Sequence, residues 1–221
     1  MKASQLPRVP SAAYDASCRD CPRLAAFLDE VRNTQPTYHC APVAPFGDAR
    51  ARLLIVGLAP GMHGANRTGR PFTGDYAGIL LYRTLYKFGF GTLEASLSAT
   101  DALRLTDCRI TNAVKCLPPE NKPDTSEVRN CNRFLAAELK AMTPGSAILA
   151  LGTIAHRAVL LGLDEKPASH RFGHGAVHLL PNDLTLFDSY HCSRYNTQTN
   201  RLTAQMFEAV FEAIARQMQR R

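Results

Sequence analysis

The sequence predicts one α/β domain built on a parallel sheet. Short, nearly all-apolar runs recur along the chain, as expected for strands buried on both faces. Segments with helical spacing of apolar residues stand between them. Two of the runs, 52–57 and 146–152, end in glycine. Alternation of this kind gives a parallel sheet whose ligands bind beyond the carboxyl ends of its strands. With 221 residues the chain has room for one such domain and a real core, so residues 1–221 are read as a single unit.

Residues 1–17 are polar and proline-bearing, and are expected to form a loose arm. Residues 22–33 read as a helix, with Leu24, Phe27, Leu28 and Val31 on one face. A proline-rich stretch, 35–47, leads to the first strand at 52–57. A glycine-rich loop then runs to Gly74. The next helix covers 75–88, with Asp75 near its start, where a carboxylate suits both capping and the helix dipole. The second strand is 108–114. The helix at 125–141 opens on Thr125-Ser126-Glu127 and closes at Thr143-Pro144-Gly145. A third strand at 146–152 is followed by a helix at 153–161. The fourth strand is 184–189, and a helix at 202–217 ends the chain with a basic tip. This order gathers the 58–74 loop, Asn112, Gly152 and His191 on one edge of the sheet. The sequence has no internal repeat and no low-complexity segment.

Composition narrows the function. An apolar fraction of 45% says globular rather than disordered. A net charge of +7 favours anionic partners, nucleic acid first among them. No apolar run reaches the roughly 18–20 residues that span a bilayer. The start shows no secretory leader pattern, so a cytoplasmic location is expected. Seven cysteines in a reducing compartment point to metal ligands or buried thiols rather than to a disulfide framework.

Cys18 and Cys21 form a C-x2-C pair, which turns two thiolates toward one centre. Cys116 and Cys131 supply a second, wider pair. Four thiolates hold either zinc or an iron–sulfur cluster. The wide second spacing departs from a zinc ribbon. Cys40 lies in the proline-rich loop, as a chance thiol or an alternative ligand. Cys108 falls inside a strand and reads as core, and Cys192 follows His191.

The 57–75 loop is the densest stretch of chemistry. It follows a strand and precedes a helix, yet matches neither G-x-G-x-x-G nor a P-loop. It offers one ring (Phe72), one carboxylate (Asp75), one imidazole (His63) and one amide (Asn66).

Three blocks carry a family resemblance: GLAPGMHGANRTGRPFTGD (57–75), TNAVKCLPPENKP (111–123) and YHCSRYNTQTNRL (190–202). Together with the cysteine pattern they resemble the family 5, or B-type, uracil-DNA glycosylases. The resemblance implies an α/β/α sandwich around a four-stranded parallel sheet. It implies a 4Fe-4S cluster on Cys18, Cys21, Cys116 and Cys131, acting as scaffold. It implies a monomer that hydrolyses the bond between uracil and deoxyribose in DNA, as the first step of base excision repair. Hypoxanthine, xanthine and other damaged bases come within the same expectation.

The same resemblance assigns residues. Phe72 stacks on the flipped base. Asn112 pairs with it, since an amide donates and accepts at once. His191 binds O2 of the departing base, and Asp75 acts on water or on the charged sugar. Gly57, Ala59, Gly61, His63 and Asn66 complete the pocket. Arg67, Arg70, Arg194, Tyr195 and Asn196 face the DNA. No lysine of these motifs suits a Schiff base, which implies a glycosylase without lyase activity. Two positions depart from the pattern. Ala59 stands where many relatives in the wider superfamily carry Asp or Asn, and Cys192 stands where relatives usually carry proline. Ala59 leaves open the alternative of a non-catalytic protein that binds damaged DNA and holds a structural metal.

Overall fold

The computed structural model describes residues 14–219. Most of the expected N-terminal arm (1–13) and the last two basic residues lie outside the described residues. Residues 14–17 are tied rather than loose. The Tyr14 hydroxyl donates to the Pro42 carbonyl at 2.7 Å, and Asp15 accepts from both the amide and the hydroxyl of Ser17.

In chain order the elements are α1 (Pro22–Thr34), β1 (Phe46–Gly47), β2 (Leu53–Gly57), α2 (Ala65–Thr68), α3 (Tyr76–Lys87), β3 (Cys108–Asn112), α4 (Thr125–Lys140) and β4 (Ala147–Leu151). There follow α5 (Thr153–Gly162), β5 (Val177–Leu180), β6 (Leu184–Ser189), α6 (Arg194–Gln198) and α7 (Ala204–Gln219). All four predicted strands are present, parallel, in the order β3-β2-β4-β6.

The period of two sorts each strand's side chains onto two faces. Leu53 and Ile55 of β2 pack with Leu81, Leu85, Phe207 and Phe211 of α3 and α7. Leu54 and Val56 pack on the other face with Leu135, Leu139, Ala155 and Val159 of α4 and α5. The result is the expected α/β/α sandwich. Among the described residues no helix is long and apolar enough to cross a membrane.

The expectation of four strands falls short at both edges, because the sheet has six. β1 adds antiparallel to β3, and β5 adds antiparallel to β6. β1 is two residues long, too short for any periodic signal. β5 carries Val177 and Leu179 outward, with Leu179 82% exposed, so its pattern does not read as a half-buried strand. The turns α2 and α6 likewise fall inside segments read as loop.

Register sets the functional edge. Gly57 pairs with Asn112 at the ends of β2 and β3, and Leu151 pairs with Ser189 at the ends of β4 and β6. The loops that follow these strands therefore open on the same side.

Candidate active site

A cavity of about 370 Å³ opens at that carboxyl edge. Ala59, Gly61, Phe72, Asp75, Asn112 and His191 line it, joined by Asn121 and Ser193. Its volume is that of a small-molecule pocket.

Phe72 holds a left-handed backbone with φ +54, which is rare for a bulky residue and collects at functional sites. Its ring is buried against Gly57. A Cβ on Gly57 falls 2.6 Å from Phe72 Cζ and 2.4 Å from Asn112 Oδ1. Only glycine lets both side chains approach the end of β2. Gly57 thus stands behind the two residues that line the cavity, rather than lining it.

Asp75 is the N-cap of α3, and its Oδ1 accepts from the Gly78 amide at 3.0 Å. Burial pushes its carboxyl up, and the backbone amides of Gly78 and Ala77 oppose that shift without cancelling it. Capping and lining the cavity are therefore compatible roles. Gly64 lies against the same carboxylate, since a Cβ there falls 2.5 Å from Asp75 Oδ2.

His191 faces Phe72 across the cavity, with ring centroids 5.9 Å apart and planes at 27°. Burial pushes its imidazole down to about 4, so it is neutral near pH 7. A neutral imidazole keeps one N–H to donate. The Asn196 side chain donates to the His191 carbonyl at 2.8 Å and fixes the loop from behind. Cys192 is fully buried among the side chains of the α3–α7 core.

A second constellation lies beside the cavity. Cys18, Cys21, Cys116 and Cys131 line one recess with Leu24, Val114 and Phe134. Burial and the other three thiols push Cys116 up to about 12. Hydrogen-bond donors face the sulfurs: the Lys115 amide reaches Cys131 Sγ at 3.3 Å and Arg133 Nη2 reaches Cys18 Sγ at 3.6 Å. Among the described residues no three of these sulfurs lie within 4.8 Å of one another. Four sulfurs on one zinc sit about 3.8 Å apart, as edges of a tetrahedron with Zn–S near 2.3 Å.

Residues 44–215 match the family model described as the uracil DNA glycosylase superfamily. The chain belongs to that superfamily. It is 46% identical over 203 residues to the type-5 uracil-DNA glycosylase of Thermus thermophilus, covering 89% of this chain and 92% of that protein. It is 40% identical to the type-5 enzyme of Pyrobaculum aerophilum, over 90% of this chain and 88% of that protein. With the type-4 uracil-DNA glycosylase of Archaeoglobus fulgidus it shares 34% identity over 63% of the chain and 56% of that relative.

Within this superfamily fold not every residue singled out from sequence reaches the cavity. His63 is exposed, and its Nδ1 contacts the Tyr38 hydroxyl at 2.9 Å. Asn66 is fully buried and its amide donates to Cys40 Sγ at 3.7 Å, away from the cavity. Arg67 is exposed beside the Gly74 carbonyl. Arg194 lies over the Tyr76 ring at 5.5 Å, and Tyr195 is exposed beside it.

Arg70 is a correction. It is buried, pairs with Asp101 at 2.5 Å, donates to Ser96 and the Ala99 carbonyl, and sits 4.3 Å over the Phe46 ring. Its donors face inward, where no phosphate reaches. Sequence reading missed Asn121 and Ser193. Asn121 lies inside the 111–123 block with a left-handed φ of +56, a conformation that asparagine tolerates. Ser193 accepts from the Asn196 amide and caps α6.

Proposed function

We propose that the chain is a monofunctional DNA glycosylase. It hydrolyses the N-glycosidic bond of uracil in DNA and leaves an abasic site for base excision repair, acting as a cytoplasmic monomer. Hypoxanthine, xanthine and other deaminated bases are its further substrates. The observation that carries this reading is the convergence of Phe72, Asn112, Asp75 and His191 on one cavity.

The base must leave the stack to reach such a cavity, at a cost of a few kcal/mol that is lowest for a mismatch. Phe72 offers the flipped base a flat face. The Asn112 amide reads the Watson–Crick edge, donating to O4 and accepting from N3–H. As the C1′–N1 bond breaks, its electron pair moves onto the base. The neutral His191 donates to O2 and stabilises that charge without giving up its proton. Water then bonds to C1′. Ionised Asp75 stabilises the cationic sugar and takes the proton that water loses. Ala59 supplies no polar group, which leaves Asp75 as the carboxylate of the cavity. Among the described residues no lysine lines the cavity, and Lys115 is committed to Glu138 at 2.9 Å, so hydrolysis ends at the abasic site.

The four cysteines lining one recess, with hydrogen-bond donors on two of their sulfurs, fit the all-thiolate ligand set of a 4Fe-4S cluster. Cys18, Cys21, Cys116 and Cys131 would hold it. Bound there, the cluster supplies a crosslink between α1, α4 and the segment after Asn112. Arg67, Arg194 and Tyr195 are exposed, free to meet the DNA backbone and the gap left by the base.

The test uses duplexes carrying a single uracil, hypoxanthine or xanthine. After incubation, alkali cleaves at abasic sites. Strand scission with uracil is expected. No scission on any duplex overturns the reading, and saturable binding without turnover replaces it with a non-catalytic damage binder.

A further inference from the structure

The 170–178 segment lies outside the cavity, yet it grips the peptide just before His191. We propose that His174 is a positioning residue for His191. The proposal rests on the glycosylase reading and extends it to a residue that touches no substrate.

The Tyr190 amide donates to His174 Nδ1 at 3.3 Å. The Ser189 hydroxyl lies 3.4 Å from the same nitrogen, but its proton goes to the Tyr190 carbonyl at 2.9 Å. Nδ1 is therefore an acceptor. The other ring nitrogen is left to donate, and the backbone at Met206 favours its protonated form. Burial lowers the His174 pKa, in keeping with this neutral form. The His174 ring also stacks on the Tyr190 ring, with centroids 5.1 Å apart and planes at 22°. Arg201 covers Tyr190 at 4.7 Å. The residue before His191 is thus held by its amide, its carbonyl and its ring.

His174 is itself anchored on both sides by Asp188. The Gly173 amide donates to Asp188 Oδ2 at 3.3 Å, and the Gly175 amide donates to the Asp188 carbonyl at 2.9 Å. The Asp188 amide returns a bond to Ala176 at 3.0 Å. Asp188 is fully buried, and its carboxylate also meets His156 Nδ1 at 2.8 Å and His178 Nε2 at 3.0 Å. A buried carboxylate with that many donors has one available geometry. It transmits that geometry through two glycines to His174, and through one hydrogen bond to the peptide that aims His191.

Three variants separate the hydrogen bond from simple packing. His174→Ala removes both acceptor and ring. His174→Phe keeps a ring on Tyr190 without the acceptor. His174→Asn restores an acceptor at the Nδ1 position. Single-turnover excision from a U·G duplex is expected to slow about ten- to a hundredfold in Ala and Phe, as for a small misplacement of a reacting group. Duplex affinity stays unchanged, and Asn regains most of the rate. Imidazole-nitrogen NMR gives a readout free of activity: the His191 ring signals shift in Ala and Phe and return in Asn. If Phe matches wild type in rate and His191 signals, the ring contact alone matters and the proposal fails. Wild-type rates in Ala also overturn it. If the wild-type protein excises nothing but the His191 signals still shift as stated, the glycosylase reading fails and the positioning role stands.

Discussion

The cavity and the cysteine recess share a wall but hold their chemistry differently. Ala59 lines the cavity on one side and packs against the cysteines and their apolar neighbours on the other. In the cavity the perturbations come from the protein and persist: a left-handed Phe72, a carboxyl pushed up at Asp75 and an imidazole pushed down at His191. In the recess burial, and then the neighbouring thiols, push Cys21, Cys116 and Cys131 up. A cationic centre bound there, as proposed, would relieve that strain. On the proposed reading the first region serves a reaction, and the second a ligand that would fix the wall.

The sharpest way to break this contrast is to remove cavity groups. His191→Ala should slow single-turnover excision about 10²–10³-fold, the usual loss for a donor to developing charge. Asp75→Asn should slow it about 10²–10⁴-fold. Neither should weaken DNA binding comparably, because both contacts strengthen only in the transition state. Asp75→Asn should also hold or raise the melting temperature at neutral pH. The folded pKa of Asp75 is raised, so its stabilising contribution is present at low pH and is lost as pH rises through that value. Asparagine keeps the cap and removes the buried charge. A lower melting temperature with unchanged excision would reverse the assignment.

The pH profile sharpens the same point. On the proposed mechanism excision needs Asp75 ionised and His191 neutral. His191 meets that condition at any pH above about 4. The acid limb of the rate therefore follows Asp75, and lies above the ordinary carboxylate range. His191→Ala should keep that limb at a lower rate, whereas Asp75→Asn should flatten it. His191 acts on stability with the opposite sign. Its folded pKa is depressed from 6.5, so stability falls as pH drops from 6.5 toward 4, and His191→Ala should flatten that fall.

Cys116→Ser tests the recess. Loss of a ligand should bleach the broad absorbance near roughly 400 nm expected of thiolate-bound iron–sulfur. Excision should fall with it, because the segment after Asn112 is tied in at both ends. The Ala113 and Val114 amides donate to the Gly57 and Leu58 carbonyls, and the Lys115 amide donates to Cys131 Sγ. A colourless Cys18→Ala or Cys116→Ser protein with full activity and stability would show that the recess is no scaffold.

These two regions also differ in how far the sequence revealed them. The strand runs, the helices and the residues of the 57–75 block were legible because their signal is local. Parallel order must align the strand ends, which puts the loop of Phe72 and Asp75 on one edge with Asn112 and His191, while the roles of these four came from the family resemblance. Arg70 was misread because its partners, Ser96, Ala99 and Asp101, lie in a distant loop with no pattern of its own. Asn66 was misread because α2 turns it toward Cys40. The grip of His174 on Tyr190 was invisible, since a single hydrogen bond between two loops leaves no periodicity.

Gly57→Ala should produce a smaller loss than either catalytic change. Its methyl displaces Phe72 and Asn112 together, at contacts of 2.6 and 2.4 Å. Excision should fall about tenfold or more through misplacement of the base, with uracil favoured less over other bases because Asn112 is the group proposed to read them. Equal loss on all substrates would assign the effect to Phe72 alone.

The smallest effect separates two neighbouring arginines. Arg67 is exposed, and as a phosphate contact its replacement by alanine should lower the slope of log K against log salt by about 0.9 while leaving stability unchanged. Arg70→Met should do the reverse. It leaves the slope alone but strands Asp101, whose carboxyl is held near 2 because Arg70 and three backbone amides outweigh its burial. Stability should drop by roughly 3–5 kcal/mol, as for a buried pair losing one member. A salt slope that falls for Arg70→Met would show that its guanidinium turns outward on DNA, against the inward geometry of its bonds.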